Sequence, residues 1–324
     1  MITVFGAGSI GCHVGGLLAL SGQPVTLVGR EALVTRLAAG YRVAHFDRVL
    51  RDVPPDTFRV VTSLADAPAS RLVLVCVKSA DTEMAAQVIL RDAPDVQTVV
   101  SLQNGIENPA VLARQLGAAR LVPGMVGYNV VEAPDGTFVQ TTQGEIILGR
   151  VPTELTALGA LSHDNMTGVQ WSKLLMNLNN ALNLLSGLPL KAQLEHRGWR
   201  RVLAAAVAEG IAVARAEGIV LARIGKVHPK VMPPLLRLPD WLFVRIANSM
   251  LAIAPSARSS MADDYDKGRA PEVDWLNGHI AARGQVLGLP TPVNARITAA
   301  VHQAFEDPKR GRIALHPEAL VQDA

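Results

Sequence analysis

Ile2-Thr3-Val4-Phe5-Gly6-Ala7-Gly8-Ser9-Ile10-Gly11-Cys12-His13-Val14 is the stretch whose reading decides the fold. Ile2 to Phe5 is β-branched and apolar and reads as a strand, and Ile10 to Ser21 reads as a helix. Between them Gly6, Ala7, Gly8, Ser9, Ile10 and Gly11 fit G-x-G-x-x-G, the pattern that turns a strand into a helix around a pyrophosphate. Gly6 permits the tight turn. Gly8 lets the main chain approach the phosphates, and Gly11 lets the helix pack closely on the strand. The N-terminus of that helix then offers free N–H groups and the positive end of its dipole to an anion. A flexible strand-to-helix turn is the plainer reading of the same residues.

Working outward, Val25 to Val28 reads as the second strand, and Leu72 to Val77 and Val99 to Leu102 as strands covered on both faces. From Val139 to Leu148 the pattern is extended again, with Gly144 between two β-prone segments, and the sheet is expected to end there. Alternating strands and helices predict an α/β Rossmann domain with a mostly parallel sheet. The second strand ends Val28-Gly29-Arg30, where NAD-binding proteins usually place an acid for the ribose hydroxyls. A guanidinium there suits a 2′-phosphate and favours NADP. Glu31 follows at once and would serve a 2′-hydroxyl if the strand ran one residue further. Lys78 stands just past a strand, either at the ligand edge of the sheet or as an ordinary solvated lysine.

After His163-Asp164-Asn165 almost no β-rich run is left. Gln170 to Leu185, Trp199 to Glu217, Asp240 to Ala254 and Glu272 to Leu287 read as helices, with Gly218 placed to end the second. The boundary falls near residues 163–168, which predicts 1–166 as a cofactor-binding domain and 167–324 as an all-α substrate domain. The tail after Pro308 is expected to fray. At 100° per residue, Lys173, Asn177 and Asn180 fall on one stripe of an otherwise apolar helix. A ligand with a carboxylate and a carbonyl or hydroxyl would use a cation and two amides well, although a solvated helix face is the plainer alternative. Asn179 and Asn183 point elsewhere and read as caps or core amides. Ser259-Ser260 through Gly268 reads as a turn entering a helix, with Ser260 and Asp264 available as caps and Gly268 as terminator.

Composition bounds the rest. With 49% hydrophobic and 18% charged residues, a wholly disordered chain is excluded. A formal charge of +3 over 324 residues and 4% aromatics argue against a nucleic-acid protein. Cys12 and Cys76 form no CxxC or Cys/His cluster, so neither a disulfide framework nor a metal site is expected. No export signal is visible at Met1. The apolar run from Trp241 to Ala254, about 14 residues, falls short of the roughly 20 that a bilayer requires. A cytoplasmic protein, monomeric or homodimeric and without membrane or nucleic-acid partners, is expected.

Taken together the segments resemble the ketopantoate reductase family. The stretches that carry the resemblance are Gly6 to Gly11, Val77-Lys78-Ser79-Ala80-Asp81-Thr82 and Leu102-Gln103-Asn104-Gly105-Ile106-Glu107-Asn108. Trp171-Ser172-Lys173-Leu174 with Asn177 follows, then Ser259-Ser260-Met261 through Gly268-Arg269 to Glu272-Val273-Asp274 and Asn277-Gly278. The family pairs a Rossmann domain with a helical domain resembling the C-terminal domain of 6-phosphogluconate dehydrogenase. The resemblance implies reduction of 2-dehydropantoate to (R)-pantoate with NADPH, on the route to pantothenate and coenzyme A. It further implies Lys173 as the catalytic acid and Glu272 as the acidic residue on the cofactor or substrate side. Arg30 and Lys78 would grip the 2′-phosphate, and Asn104 would lie near nicotinamide and substrate. Asn177 and Ser260 would contact the substrate. Two positions depart from the family: its second asparagine, eight residues after the lysine, is Ala181 here with Asn180 beside it, and the Thr before the glutamate is Pro271. A reductase of another 2-oxo acid is the alternative, and a non-catalytic NADP-binding sensor is argued against by Lys173 and Glu272. The expected binding place is a cleft between the two domains.

Overall fold

The computed structural model describes residues 1–225, 228–247, 257–306 and 314–321. The chain divides into two compact units, Met1–Met166 and Thr167–Ala324.

In the first unit, β1 (Ile2–Phe5), α1 (Ser9–Leu20), β2 (Val25–Val28), α2 (Glu31–Leu37), β3 (Tyr41–Ala44), β4 (Leu50–Val53) and β5 (Phe58–Val61) come first. β6 (Leu72–Val75), α3 (Thr82–Asp92), β7 (Thr98–Ser101), α4 (Asn108–Leu116) and β8 (Leu121–Val126) follow. β9 (Val130–Glu132), β10 (Phe138–Gln140), β11 (Ile146–Leu148) and β12 (Leu161–Ser162) complete the unit. The main sheet runs β12-β11-β8-β7-β6-β1-β2-β5. From β8 to β5 every pair is parallel, with Ile2 opposite both Val25 and Leu72. The strand order therefore reverses at β1, where open α/β sheets bind their ligands beyond the carboxyl ends of the strands.

β1, β2 and β6 are apolar but for Thr3 and Thr26, because alternate residues serve two cores. Ile2, Val4, Val25, Leu27, Leu72 and Leu74 enter one cluster with α1, while Phe5, Val28, Val73 and Val75 enter another with α3 and α4. Burying each such side chain contributes roughly 1.5–3 kcal/mol.

The structure corrects the strand ends and adds a sheet. β6 and β7 stop at Val75 and Ser101, two residues and one residue earlier than expected, and only one further ladder bond follows each, Cys76 N–H to Phe5 O at 2.8 Å and Leu102 N–H to Val75 O at 2.9 Å. The sheet does not end at Leu148, because β12 pairs parallel with β11. Phe138–Gln140 leaves the main sheet altogether and joins a second one, β4-β3-β10-β9. That sheet covers the side of α1 turned away from β1 and β2.

The second unit is helical: α5 (Met166–Asn177), α6 (Asn179–Ser186), α7 (Leu190–Glu195), α8 (Arg197–Ala216), α9 (Met232–Leu236) and α10 (Asp240–Ile246), then α11 (Ser260–Asp266), α12 (Asn277–Leu287) and α13 (Pro292–Glu306). The long α8 packs against α6, α7, α9, α12 and α13, and Gly218, with φ +71°, lies just past its end. Three expected helices differ. Gln170 to Leu185 is α5 and α6 parted at Leu178, within a run of asparagines whose side chains compete with helical hydrogen bonds. Glu272 to Leu287 starts as a single 3-10 turn, Val273–Trp275, and Leu276 (φ −114°, ψ −97°) separates that turn from α12. α10 ends at Ile246, and positions 248–254 of the expected helix lie outside the described residues. The tail is not uniformly frayed: Leu315 N–H bonds Leu185 O at 2.9 Å and Leu320 is buried, while 307–313 lie outside the described residues. Among the described residues no helix is long and apolar enough to cross a membrane.

Candidate active site

The glycine loop lies at the carboxyl end of β1. Gly6 has φ +104°, and a Cβ there would lie 2.6 Å from Val77 N, so only glycine allows the loops after β1 and β6 to touch. A Cβ on Gly11 would strike Gly6 O, which is the close helix packing the motif requires. Around Gly8 the space is open, and no side chain caps the N-terminus of α1. Its first-turn N–H groups therefore face an open cradle suited to a pyrophosphate. Ala7, Ser9 and Ile10 complete that turn, with Ala7 N–H bonded to Val28 O at 2.9 Å.

The other expected cofactor residues follow neighbouring strands on the same edge. Arg30 lies exposed two residues beyond β2 and immediately before α2, which Glu31 opens. The half-buried Lys78 lies three residues beyond β6, and the half-buried Asn104 three beyond β7. One edge of one sheet thus gathers the glycine loop, two cations and an amide. This donor set fits an anionic dinucleotide, with Arg30 beyond β2 on one side of β1 and Lys78 and Asn104 beyond β6 and β7 on the other.

A buried polar network ties the last two loops together. Gln103 Nε2 donates to Val77 O at 3.2 Å and to Thr82 Oγ1 at 2.7 Å. Asn108 Nδ2 donates to Ser79 Oγ at 3.1 Å and to Asn104 O at 2.5 Å, and its Oδ1 accepts from Thr82 Oγ1 at 2.8 Å. Ser79 Oγ donates to Asn104 O at 3.1 Å. Ser79, Thr82, Gln103 and Asn108 were assigned no role from sequence. Their signal was a set of hydroxyls and amides packed directly behind two fully apolar strands, where such groups must find partners once buried.

In the helical unit, Lys173 is half-buried on α5, and burial pulls its ammonium down to about 8. Asn177, one turn on, is buried. Asn180, past the break at Leu178, places Nδ2 3.4 Å from Ser260 Oγ. The structure therefore brings two of the expected substrate residues, 80 positions apart, into reach of one another. Ser260 is not the helix cap it was expected to be: the cap is Ser259, whose extended backbone (φ −75°, ψ 159°) lets its Oγ accept from Ala262 N–H. Asn183 is the core amide expected of it; its Oδ1 takes Ser259 N–H at 2.8 Å, and Ser259 Oγ donates to Asn180 O at 2.9 Å. Asn179 instead accepts from Gln193 Nε2 at 2.8 Å. Gly268 (φ +65°) terminates α11, and the buried Glu272 precedes the 3-10 turn Val273–Trp275.

Family models describe both units: "Ketopantoate reductase PanE/ApbA" matches residues 2–153, and "Ketopantoate reductase PanE/ApbA C terminal" matches residues 165–305. The chain belongs to the ketopantoate reductase family. It is 31% identical over 322 residues to a 2-dehydropantoate 2-reductase of Halobacterium salinarum, covering 94% of this chain and 99% of the relative. The crystal structure of a PanE/ApbA family ketopantoate reductase from Ralstonia eutropha is similar at a TM-score of 0.79 and 30% identity, over 95% of this chain and all (100%) of that one. A D-mandelate dehydrogenase solved with NADH and anilino(oxo)acetate shares the fold at a TM-score of 0.77 and 20% identity, covering 94% of this chain and 99% of that one. Ketopantoate reductase architecture, a mostly parallel α/β unit followed by a helical one, is therefore that of this chain.

Proposed function

We propose that this chain reduces the 2-oxo group of 2-dehydropantoate to (R)-pantoate with NADPH. The observation that carries the proposal is Lys173: a cation half-buried in an apolar helix with its proton affinity lowered towards neutral pH, as a general acid requires. The bound nicotinamide would supply hydride to the 2-oxo carbon. Lys173 Nζ then stabilises the alkoxide that forms on the carbonyl oxygen and gives it a proton. Asn177, Asn180 and Ser260 hold the substrate, with Ser260 on its carboxylate. Glu272 holds the cofactor or substrate side. Arg30 and Lys78 neutralise the 2′-phosphate, the glycine loop Gly6–Gly11 cradles the pyrophosphate, and Asn104 serves the nicotinamide end.

An NADPH-absorbance assay with 2-dehydropantoate tests the reading. Lys173→Ala is expected to keep NADPH affinity while turnover falls by about 10²- to 10⁴-fold, the usual contribution of a positioned acid. Near-normal turnover would remove Lys173 from the mechanism. Because the acid must hold its proton, turnover of the native chain is expected to decline as pH rises through about 8. A flat profile up to pH 10 would contradict that role.

A second reading, reduction of a different 2-oxo acid, draws support from Ala181 and Pro271 at the two positions that depart from the family, and from the fold shared with a mandelate enzyme. Ranking 2-dehydropantoate against the 2-oxo acid that corresponds to mandelate by kcat/KM separates the two.

A further inference from the structure

Asn108 is the first residue of α4, 2% exposed, and uses three hydrogen bonds where a helix start needs none from a side chain. One of them goes directly to the loop that carries Asn104, and a second reaches it through Ser79. Asn108 Nδ2 reaches Asn104 O at 2.5 Å, and the hydroxyl of Ser79, which also receives Asn108 Nδ2, donates to that same carbonyl at 3.1 Å. The carbonyl oxygen of Asn104 is thus held by two donors, one from its own loop's end and one from the loop after β6. Gly105, with φ +85°, supplies the turn that lets the chain double back onto Asn108. Thr82 fixes the orientation of the Asn108 amide by donating to Oδ1 at 2.8 Å, and Gln103 in turn donates to Thr82 Oγ1 at 2.7 Å. A carbonyl held in this way fixes the plane of the peptide between Asn104 and Gly105, and with it the direction from which the Asn104 side chain leaves the main chain.

We propose that Asn108 is a positioning residue that aligns Asn104 for the nicotinamide end of the cofactor. The inference rests on the role given to Asn104 under the proposed function. It does not depend on which 2-oxo acid is reduced.

The test is a double-mutant cycle on the full chain with Asn104→Ala and Asn108→Ala, read by fluorescence titration of NADPH and NADH and by thermal melting. Asn108→Ala alone is expected to weaken both cofactors by about tenfold, since the nicotinamide end that Asn104 serves is common to NADPH and NADH. In the Asn104→Ala background the same substitution is expected to change affinity by less than twofold, while still lowering the melting temperature as it does in the native background. That split is one a merely structural amide would not produce. Equal affinity losses in both backgrounds would overturn the proposal, and so would an Asn108→Ala effect alongside an Asn104→Ala variant of native affinity. Failure of the substrate reading would show separately, as native cofactor binding without turnover of 2-dehydropantoate.

Discussion

At the scale of single residues, the proposed function makes Arg30 the residue that decides between cofactors. It is exposed beside Glu31 at the end of β2. Arg30→Ala is expected to weaken NADPH by about 10- to 100-fold, the worth of a charge-assisted contact to phosphate, and NADH by far less. Titrating both cofactors checks this, and equal losses would reassign the residue. His13 gives a second prediction. It is fully buried on α1, with Nε2 3.2 Å from Ala44 O, Nδ1 without a partner, and the rings of His45 and Tyr128 within 6 Å. Burial pulls its pKa down to about 4. In the unfolded chain it titrates near 6.5, so between these values the unfolded state binds more protons and stability falls as the medium is acidified. The loss at pH 4 relative to pH 7 is expected to reach about 3 kcal/mol and to vanish in His13→Phe, as denaturant melts at both pH values would show. Legibility varied from residue to residue. Gly6 could be read because a single residue type tolerates its backbone, and Gly11 because any Cβ there would strike Gly6 O. The choice between Ser259 and Ser260 could not, since two adjacent serines carry the same letters and only the backbone tells which one caps the helix.

At the scale of elements, α8 is held by Arg200. The side chain is fully buried, and its guanidinium donates to the carbonyls of Leu194, Glu195, Leu236 and Leu238 and to Asp240 Oδ1, with its carbon 4.2 Å from the centre of the Phe243 ring. It collects the end of α7, the end of α9 and the start of α10. Arg200→Ala would strand the buried carbonyls of Leu194 and Leu236 and leave those of Glu195 and Leu238 to water, and a loss of about 3–5 kcal/mol is expected from urea denaturation. In the sequence Arg200 is indistinguishable from its neighbour Arg201. β1 and β2 could be read to the residue because both faces of the sheet are buried and only Thr3 and Thr26 interrupt the apolar runs. β3, β4 and β9 escaped because they are of mixed polarity, as in Leu50-Arg51-Asp52-Val53, whereas β10 reads as extended and only the sheet it joins was beyond the sequence. α13 escaped for a different reason. Its first N–H groups, those of Val293 and Asn294, are capped by Glu209 of α8 at 2.8 and 3.0 Å, a partner that stands 84 positions before Val293 in the sequence.

At the scale of the whole molecule, the proposed roles divide by unit. Gly6–Gly11, Arg30, Lys78 and Asn104 belong to the first, and Lys173, Asn177, Asn180, Ser260 and Glu272 to the second. Under the proposed function, Asn180→Ala is expected to raise KM for the 2-oxo acid by about tenfold, as loss of one substrate hydrogen bond implies, without moving the NADPH dissociation constant. Steady-state kinetics beside a cofactor titration would show it. Sequence supplied the order of the two units and the residue types at the sheet's edge, since strand pattern and loop chemistry are local. Pairings such as Asn180 with Ser260 were beyond it, since they depend on packing across 80 positions. The helix behind the glycine loop lies between two sheets, and the loop's own main chain abuts Val77. A receptor pinned on every side has no disorder left to surrender when its anion arrives. Dinucleotide capture is therefore expected to be a single kinetic phase with a small heat-capacity change, the thermodynamic mark of a lock cut before its key.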